Sequence, residues 1–191
     1  PGVSRNSYSL KVAGPRGYAP YSAALVTGNV LADNWTTYAA AAEEAGRQAD
    51  PANWRVARAI FLADTTREAE KLARSNTVGG NYEYIATLMD NALGNRSILK
   101  RDLDMSDADC NMDFLMEEQI IAGDVDEVLR RLLLMIEETG KFGTLVLMSY
   151  VWEVKAIWIH CMDLFANVLM PALNRAIALF SGQNGPRMVH R

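Results

Sequence analysis

The sequence predicts an α/β protein with a parallel sheet, because segments typical of strands alternate with segments typical of helices. Two strand segments, 54–64 and 142–152, are rich in β-branched and aromatic residues. The helical segments begin at capping residues and end near glycines. Strands that are joined through helices run parallel to one another and connect in the right-handed sense.

The first quarter of the chain predicts a helix, a strand and a second helix. Residues 7–14 favour one or two helical turns that end at their last glycine. Residues 17–26 form a short apolar run that is typical of a buried strand. The alanine-rich residues 35–46 favour helix strongly, and Asp33 or Asn34 is expected to be the N-cap.

The central strand segment leads into a further helix and then into a long insertion. Asp64 or Thr65 is expected to cap the helix, with Glu68 completing a capping-box-like start. Residues 77–125 exceed an ordinary connection of about 4 to 6 residues. We expect a partly helical insertion of the kind that covers a site, with a second apolar helix over residues 112–123.

The regular alternation resumes in the last third of the chain. Residues 124–140 predict a helix, 142–152 a buried strand, and 155–180 a final helix with one apolar stripe. Pro171 is expected to kink or divide that helix. Residues 181–191 are expected to form a flexible tail.

Three strands cannot close a barrel, and an open sheet of three strands leaves unpaired edges. The chain also opens at Pro1 without an initiator methionine. We therefore expect that further strands come from an N-terminal part outside this chain.

The composition excludes several classes of function. The chain has 23 acidic and 19 basic residues, a net charge of −4, and no basic stripe, so nucleic acid and anionic membranes are not expected partners. The two cysteines, Cys110 and Cys161, have no metal-ligand spacing and predict free thiols in a reducing cytoplasm. Charged residues interrupt the apolar region 144–180, which argues against a membrane span. The nine methionines are expected to fill the core.

The sequence resembles luciferase-like, flavin-dependent monooxygenases, especially the branch of limonene and diketocamphane monooxygenases. The resemblance covers nearly the whole chain to about Leu173, in the order and at the spacing of that family. The segments that carry it are 2–22, 34–74, 114–128, 137–147 and 162–173.

The resemblance implies the C-terminal part of a (β/α)8 TIM barrel, about strands 6–8 plus helices, within residues 1–180. In that family GYAPYS would be the sixth strand, the segment 54–64 the seventh and TLVLMSY the eighth. The insertion 77–125 lies where the family carries a mobile active-site insertion. Strands one to five would then precede Pro1, in the same gene or in a second chain.

Four consecutive residues, Ser4, Arg5, Asn6 and Ser7, precede the first helix. Hydroxyls, a guanidinium and helix N-terminal amides together suit a phosphate. The resemblance implies that the FMN phosphate binds here. The alternative is a simple group of N-capping residues.

Barrel enzymes place their sites at the carboxyl ends of the strands. There, Tyr21, Ser22, Ser149 and Tyr150 are expected to face the flavin ring or the substrate, although each can equally be a strand-end residue that meets water. Relatives often have a GHDW-like sequence after the eighth strand. Here it reads SYVW, with Tyr150 and Val151 replacing His and Asp, which puts catalytic competence in question.

Five further residues have two interpretations each. Arg58 either points into the barrel end or, as favoured, is a surface or ion-paired arginine. His160 is expected to be a packed or solvated helix histidine. Tyr82, Tyr84 and Met89 either line an apolar substrate pocket or anchor the insertion.

The resemblance implies an FMN-dependent monooxygenase that acts on an apolar small molecule such as a terpenoid, ketone or aldehyde. Reduced FMN would come from a separate flavin reductase, and the protein would be a cytoplasmic homo- or hetero-oligomer. Two alternatives remain: an F420-dependent oxidoreductase of the same fold, and a non-catalytic subunit that completes a split barrel.

Overall fold

The computed structural model describes Gly2 and residues 4–75, 79–149 and 154–183. It shows a four-stranded parallel sheet with packed helices, which confirms the α/β class. The helices are α1 (Tyr8–Arg16), α2 (Gly28–Glu44), α3 (Thr66–Arg74), α4 (Gly79–Leu93), α5 (Met112–Glu118), α6 (Val125–Thr139), α7 (Lys155–Leu164) and α8 (Met170–Gln183). The strands are β1 (Tyr21–Ser22), β2 (Arg55–Leu62), β3 (Ile120–Gly123) and β4 (Thr144–Met148).

Strand β2 is the centre of the sheet and pairs with all three other strands. Arg55 has register partners in β1 and β4, and Ala59 has them in β3 and β4. Since a residue has one neighbour on each edge, β4 lies along one edge of β2, and β1 and β3 follow one another along the other edge. Gly2 forms a parallel bridge to Ser22 on the second edge of β1.

The sheet lies at the core of the protein. Residues 56–62 of β2 are buried on both faces of the sheet, as is usual for a parallel sheet with covered faces. By contrast, β4 is only partly buried along its length. Among the described residues β4 pairs with β2 alone, so its second edge has no strand partner there.

Helices α1 and α2 pack closely because a glycine lies at their contact. A Cβ atom at Gly14 would lie 2.7 Å from the backbone nitrogen of Ala42 and 2.8 Å from the carbonyl oxygen of Tyr38. The predicted helix end at Gly14 is wrong. The helix continues to Arg16 and ends at Gly17, whose φ of 68° gives the left-handed C-cap.

Helix α2 begins before the predicted cap residues, with Thr27 as its N-cap. Asp33 and Asn34 lie inside the helix and make bonds to other parts of the chain. The Asp33 carboxylate accepts the Asn6 amide at 2.5 Å, and Asn34 Nδ2 lies 3.4 Å from the Ser22 hydroxyl. The sequence suggested these two residues as caps because Asp and Asn are among the commonest N-cap residues.

Side chains cap α3 and α6, and the cap of α3 is one of the two residues predicted for it. Thr65 Oγ1 accepts the Glu68 amide at 3.2 Å at the start of α3. Asp124 Oδ1 accepts the Glu127 amide at 3.0 Å at the start of α6.

The insertion contributes a fourth strand that the sequence argument missed. The helix predicted over residues 112–123 ends at Glu118, and Ile120–Gly123 instead pairs with residues 59–62 of β2. All four strand residues are buried. The apolar run Ile120–Ile121 fits helix and strand equally in sequence, and the adjacent edge of β2 decides between them.

A kink or a division was expected at Pro171, and the helix is not divided there. A π-helical turn, Phe165–Leu169, separates α7 from α8, and the Met170 amide bonds the Phe165 carbonyl. Proline removes one amide and crowds the carbonyl four residues earlier. The wider turn directly before Pro171 accommodates that crowding without ending the helix. Residues 181–183 of the predicted tail belong to α8, so the prediction is wrong for them, and the rest of the tail lies outside the described residues.

Candidate functional site

The carboxyl ends of β1, β2 and β4 point the same way because these strands run parallel. This is the end at which parallel α/β proteins place their sites. The sequence-predicted residues Tyr21, Ser22 and Ser149 lie at or next to these strand ends. Tyr150, and Val151 of the SYVW sequence, lie outside the described residues.

One face of the sheet carries small and apolar side chains around Ala57 and Ala59. Alternation along β2 adds Phe61 to this face, and the register adds Tyr21 from β1 and Met148 from β4. Tyr21 Oη lies 3.9 Å from Met148 Sδ, so side chains from both neighbours of β2 meet over the two alanines. We call these five residues the alanine face.

Helix α7 covers the carboxyl-terminal end of β2. The Trp158 ring meets Phe61 edge to face, with ring centroids 5.2 Å apart. The Leu62 amide donates to Cys161 Sγ at 3.2 Å. The pairing with β4 ends at Met148, opposite Ala59, so α7 takes over an edge of β2 that a longer β4 would have covered. Burial raises the pKa of the Cys161 thiol, and the Leu62 amide opposes this only partly.

His160 lies on the same helix and contacts the carboxyl end of β2. Its Nε2 is 2.8 Å from Asp64 Oδ1, and both side chains are well exposed, at 49% and 74%. An exposed pair of this kind contributes little stability. His160 is therefore a solvated helix histidine, as one of the two expectations had it, with Asp64 as its partner.

The structure separates Ser22 from Tyr21. Ser22 is fully buried on the opposite face of the sheet, where its hydroxyl accepts the Trp54 indole N–H at 3.0 Å. Ser149 Oγ is buried and has no hydrogen-bond partner among the described residues. Tyr21 and Ser149 therefore remain candidates to face a ligand. The Ser22 hydroxyl is already bonded to Trp54 on the other face of the sheet.

Arg58 lies on the same face of the sheet as Ser22, the face that packs against α6, which we call the helix-facing side. Its Nη1 donates to the carbonyl oxygens of Ala24 at 3.3 Å and Val26 at 2.7 Å, and its Nε lies 3.2 Å from Met135 Sδ. It is 1% exposed, and burial lowers the pKa of its guanidinium to about 10. The expectation of a surface or ion-paired arginine is wrong, because Arg58 fixes the segment after β1 through neutral acceptors.

The predicted phosphate residues form a compact loop before α1, which we call the 4–7 loop. Ser7 is 4% exposed and makes no side-chain capping bond to α1, although its Oγ is 3.1 Å from Ser9 Oγ. Asn6 has a left-handed φ of 50°. Arg5 Nη1 lies 3.5 Å from the Lys100 carbonyl oxygen, and no described acidic side chain pairs with Arg5.

The tyrosines of the insertion have different environments. Tyr82 is fully buried and its hydroxyl donates to the Ala24 carbonyl at 3.2 Å, so it anchors α4 to the segment after β1. Tyr84 is 64% exposed, and Met89 is partly buried. The anchoring interpretation therefore holds for Tyr82, and nothing places Tyr84 in a pocket.

A cavity of about 340 Å³ lies between α2, α5 and α6, on the helix-facing side of the sheet. Charged residues dominate its lining, and Arg101 crosses it to pair with Glu118 at 2.8 Å and Glu138 at 2.5 Å. Arg58 and Arg131, which also line it, donate to backbone carbonyl oxygens rather than to acids. These three arginines are therefore bonded within the protein.

Within the described residues there is no group of three or more His, Cys, Asp or Glu side chains that could hold a metal ion. One described helix, Lys155–Leu179, has the length and mean hydropathy, 1.5, of a membrane span, although the charges of this region had argued against one. Trp158, Cys161 and Leu169 of this helix are buried in the protein core. Length and composition alone therefore do not assign it to a membrane.

The sequence argument did not predict Phe61, Trp158 or Cys161 as site residues. They lie on segments that were correctly assigned, but only the observed register brings them together. Alternation along β2 was available as a signal, since Ala57, Ala59 and Phe61 share one face.

No protein-family model matches the chain. Curated relatives do match it. It is 28% identical to 3,6-diketocamphane 1,6-monooxygenase of Pseudomonas putida over 174 residues, which are 90% of this chain and 46% of the relative. It is 34% identical to 2,5-diketocamphane 1,2-monooxygenase 1 of the same organism over 152 residues, or 78% of this chain and 41% of the relative. The chain thus spans about half the length of these relatives.

A solved structure extends the likeness to the fold. The oxygenating constituent of 3,6-diketocamphane monooxygenase from Pseudomonas putida, a type II Baeyer–Villiger monooxygenase in complex with FMN, matches with a TM-score of 0.76 and 27% identity. The match covers 89% of this chain and 47% of that protein. The long-chain alkane monooxygenase LadA matches at a TM-score of 0.54 with 16% identity, over 84% of this chain and 39% of that protein, which supports the fold alone.

Proposed function

Since the homologues of this chain are diketocamphane monooxygenases of the luciferase-like fold, we propose that it is the C-terminal part of an FMN-dependent monooxygenase. The observation that carries the proposal is the match to an FMN-bound oxygenating protein across nearly the whole of this chain. The 4–7 loop and the alanine face support it as well, because cofactor and substrate are expected at the carboxyl ends of these strands.

The sheet supports the assignment to the later strands of a barrel. Strands β1, β2 and β4 would be the sixth, seventh and eighth, and β3 would extend the edge of the seventh. The bridge from Gly2 to Ser22 is where a fifth strand would run beside β1. The second edge of β4 would pair with the first strand, supplied by an N-terminal part in the same gene or in a second chain.

The 4–7 loop fits a phosphate. The first turn of α1 carries no acidic residue, and the Ser7 side chain makes no capping bond. Within the described part of the chain, Arg5 bonds to a neutral carbonyl and to no acidic group. These features favour an anion at the helix N-terminus. The Asn6 amide is already bonded to Asp33, so Ser4, Arg5 and Ser7 would make the contacts, while Asn6 shapes the loop.

FMN, when bound in its reduced form, would supply the chemistry that activates O2. The chain's own contribution would be to hold the ring and exclude water over the alanine face. Tyr21 and Ser149 would offer the hydroxyls nearest to the ring or substrate, with Tyr150 proposed beside them. The apolar surroundings favour an apolar substrate such as a terpenoid, ketone or aldehyde. We further propose a separate flavin reductase as electron donor, a cytoplasmic location and an oligomeric enzyme.

The test is a titration of the full-length protein with FMN, followed by flavin fluorescence. Submicromolar to micromolar binding is expected, and Arg5→Met should weaken it, while Arg16→Met, a change of an exposed arginine at the other end of α1, should not. A parallel titration with F420 separates the related cofactor. Absence of FMN binding by the full-length protein would overturn the proposal. Oxygen consumption that depends on an apolar ketone and a flavin reductase would then test the reaction.

A further inference from the structure

Three consecutive residues of the insertion, Leu99–Arg101, are held at every backbone carbonyl by side chains from other parts of the chain. Gln119 Nε2 donates to the Leu99 oxygen at 2.6 Å, and Asn29 Nδ2 donates to the Arg101 oxygen at 2.9 Å. Between them, the Lys100 oxygen accepts Arg5 Nη1 at 3.5 Å. We call this tripeptide the strap.

The side chains of the strap are fixed as well. Leu99 is fully buried and Lys100 is 7% exposed, with its Nζ 2.7 Å from Asp107 Oδ1. The Arg101 guanidinium joins Glu118 and Glu138, which lie on different elements. The strap is therefore a docked part of the insertion, and not a section that opens freely.

We propose that the strap positions Arg5 for the flavin phosphate, so that docking of the insertion and binding of the phosphate stabilise each other. This inference rests on the proposed function of the 4–7 loop. A long arginine side chain loses conformational freedom when it binds an anion, and the Lys100 carbonyl restricts that freedom in advance. At 3.5 Å the contact is long, and it leaves the remaining guanidinium N–H groups for phosphate oxygens. Linkage makes the effect reciprocal.

The coupling predicts a signature that a general loss of stability would not produce. Releasing the strap should weaken the binding of FMN and leave the binding of riboflavin, which lacks the phosphate, unchanged. The Kd for FMN should rise roughly three- to tenfold, because the variant must immobilise the long Arg5 side chain during binding.

The experiment compares FMN and riboflavin titrations of the full-length protein and its Arg101→Met variant. Among the described residues no hydrogen bond or ion pair joins the Arg101 side chain to the 4–7 loop, and methionine keeps the aliphatic stem. Arg101→Lys, which can retain one ion pair, should give an intermediate loss and serves as the second variant if Arg101→Met fails to fold. Arg130→Met is the matched control, because it breaks an exposed pair with Glu127 within α6 and leaves both ion pairs of Arg101 in place.

A double variant with Arg5→Met should show no further change in the ratio of the two Kd values, since the strap acts only through Arg5. FMN, but not riboflavin, should also slow hydrogen exchange of residues 94–111. If wild type binds FMN no better than riboflavin, the phosphate site itself fails. If wild type prefers FMN and Arg101→Met leaves that preference intact, the phosphate site stands and the strap proposal is refuted.

Discussion

Replacing Gly14 by alanine reverses the usual rule for glycine in a helix. In an exposed helix interior, Gly→Ala stabilises by about 1 kcal/mol. Here the new methyl carbon would lie 2.7 Å from the Ala42 nitrogen and 2.8 Å from the Tyr38 oxygen, both of them backbone atoms. That is about 0.7 Å inside ordinary contact, so α1 and α2 must separate. Overpacking costs about 1–3 kcal/mol, and after the gain in helix propensity we expect a net loss of up to about 2 kcal/mol.

The assay is urea unfolding of the full-length protein, with Lys11→Ala, a change at an exposed position of α1, as the control. Separation of α1 from α2 should also disturb the 4–7 loop, because the Asn6 amide is bonded to Asp33 of α2. FMN affinity should therefore fall together with stability in Gly14→Ala and remain unchanged in Lys11→Ala. A Gly14→Ala protein that is more stable than wild type would refute the close-approach argument.

Asp124→Ala should cost about 1 kcal/mol at neutral pH through loss of the α6 cap. The amide of Glu127 lowers the folded-state pKa of Asp124, so its contribution is present above the unfolded-state pKa and is lost as the pH falls through the folded-state pKa. The gap to wild type in urea unfolding should narrow below about pH 4, and a constant gap would contradict this. Cys161→Ala should cost about 1–3 kcal/mol because the Leu62 amide loses its acceptor; Cys161→Ser should cost less, and equal losses would count against the bond. Burial raises the pKa of both the Cys110 and Cys161 thiols, so iodoacetamide should label the folded protein slowly at pH 7.5 and the unfolded protein fast, as mass spectrometry can measure.

Local signals predicted the elements whose determinants lie within a few residues of sequence. Thr65 was one of two residues identified as the cap of α3, because a helix start depends on residues three positions apart. The strand Ile120–Gly123 was missed because its conformation depends on the edge of β2, about 60 residues earlier in the sequence. The start of α2 was misplaced because Asp33 and Asn34 bond to distant groups instead of to their own helix.

The candidate site shows the same division. The order of the segments predicted the strand ends and the loop at which a site would lie, and the family resemblance implied FMN as the cofactor. Neither indicated that Ser22 faces the helices while Tyr21 faces Met148, because that depends on register. The environment of Arg58 was equally hidden, since a charged residue in a strand ordinarily predicts exposure and here it binds carbonyls in the core.

The edge of β4 that no described strand pairs with has a practical consequence for the production of this polypeptide. Along Thr144–Met148 the backbone N–H and C=O groups of that edge offer a template on which another copy can add its own strand, with stacking into insoluble material as the expected end point. If an N-terminal part supplies the neighbouring strand, as proposed, its co-expression should raise the soluble yield. Yield on co-expression can therefore serve as an inexpensive test of that proposed part before any flavin is added.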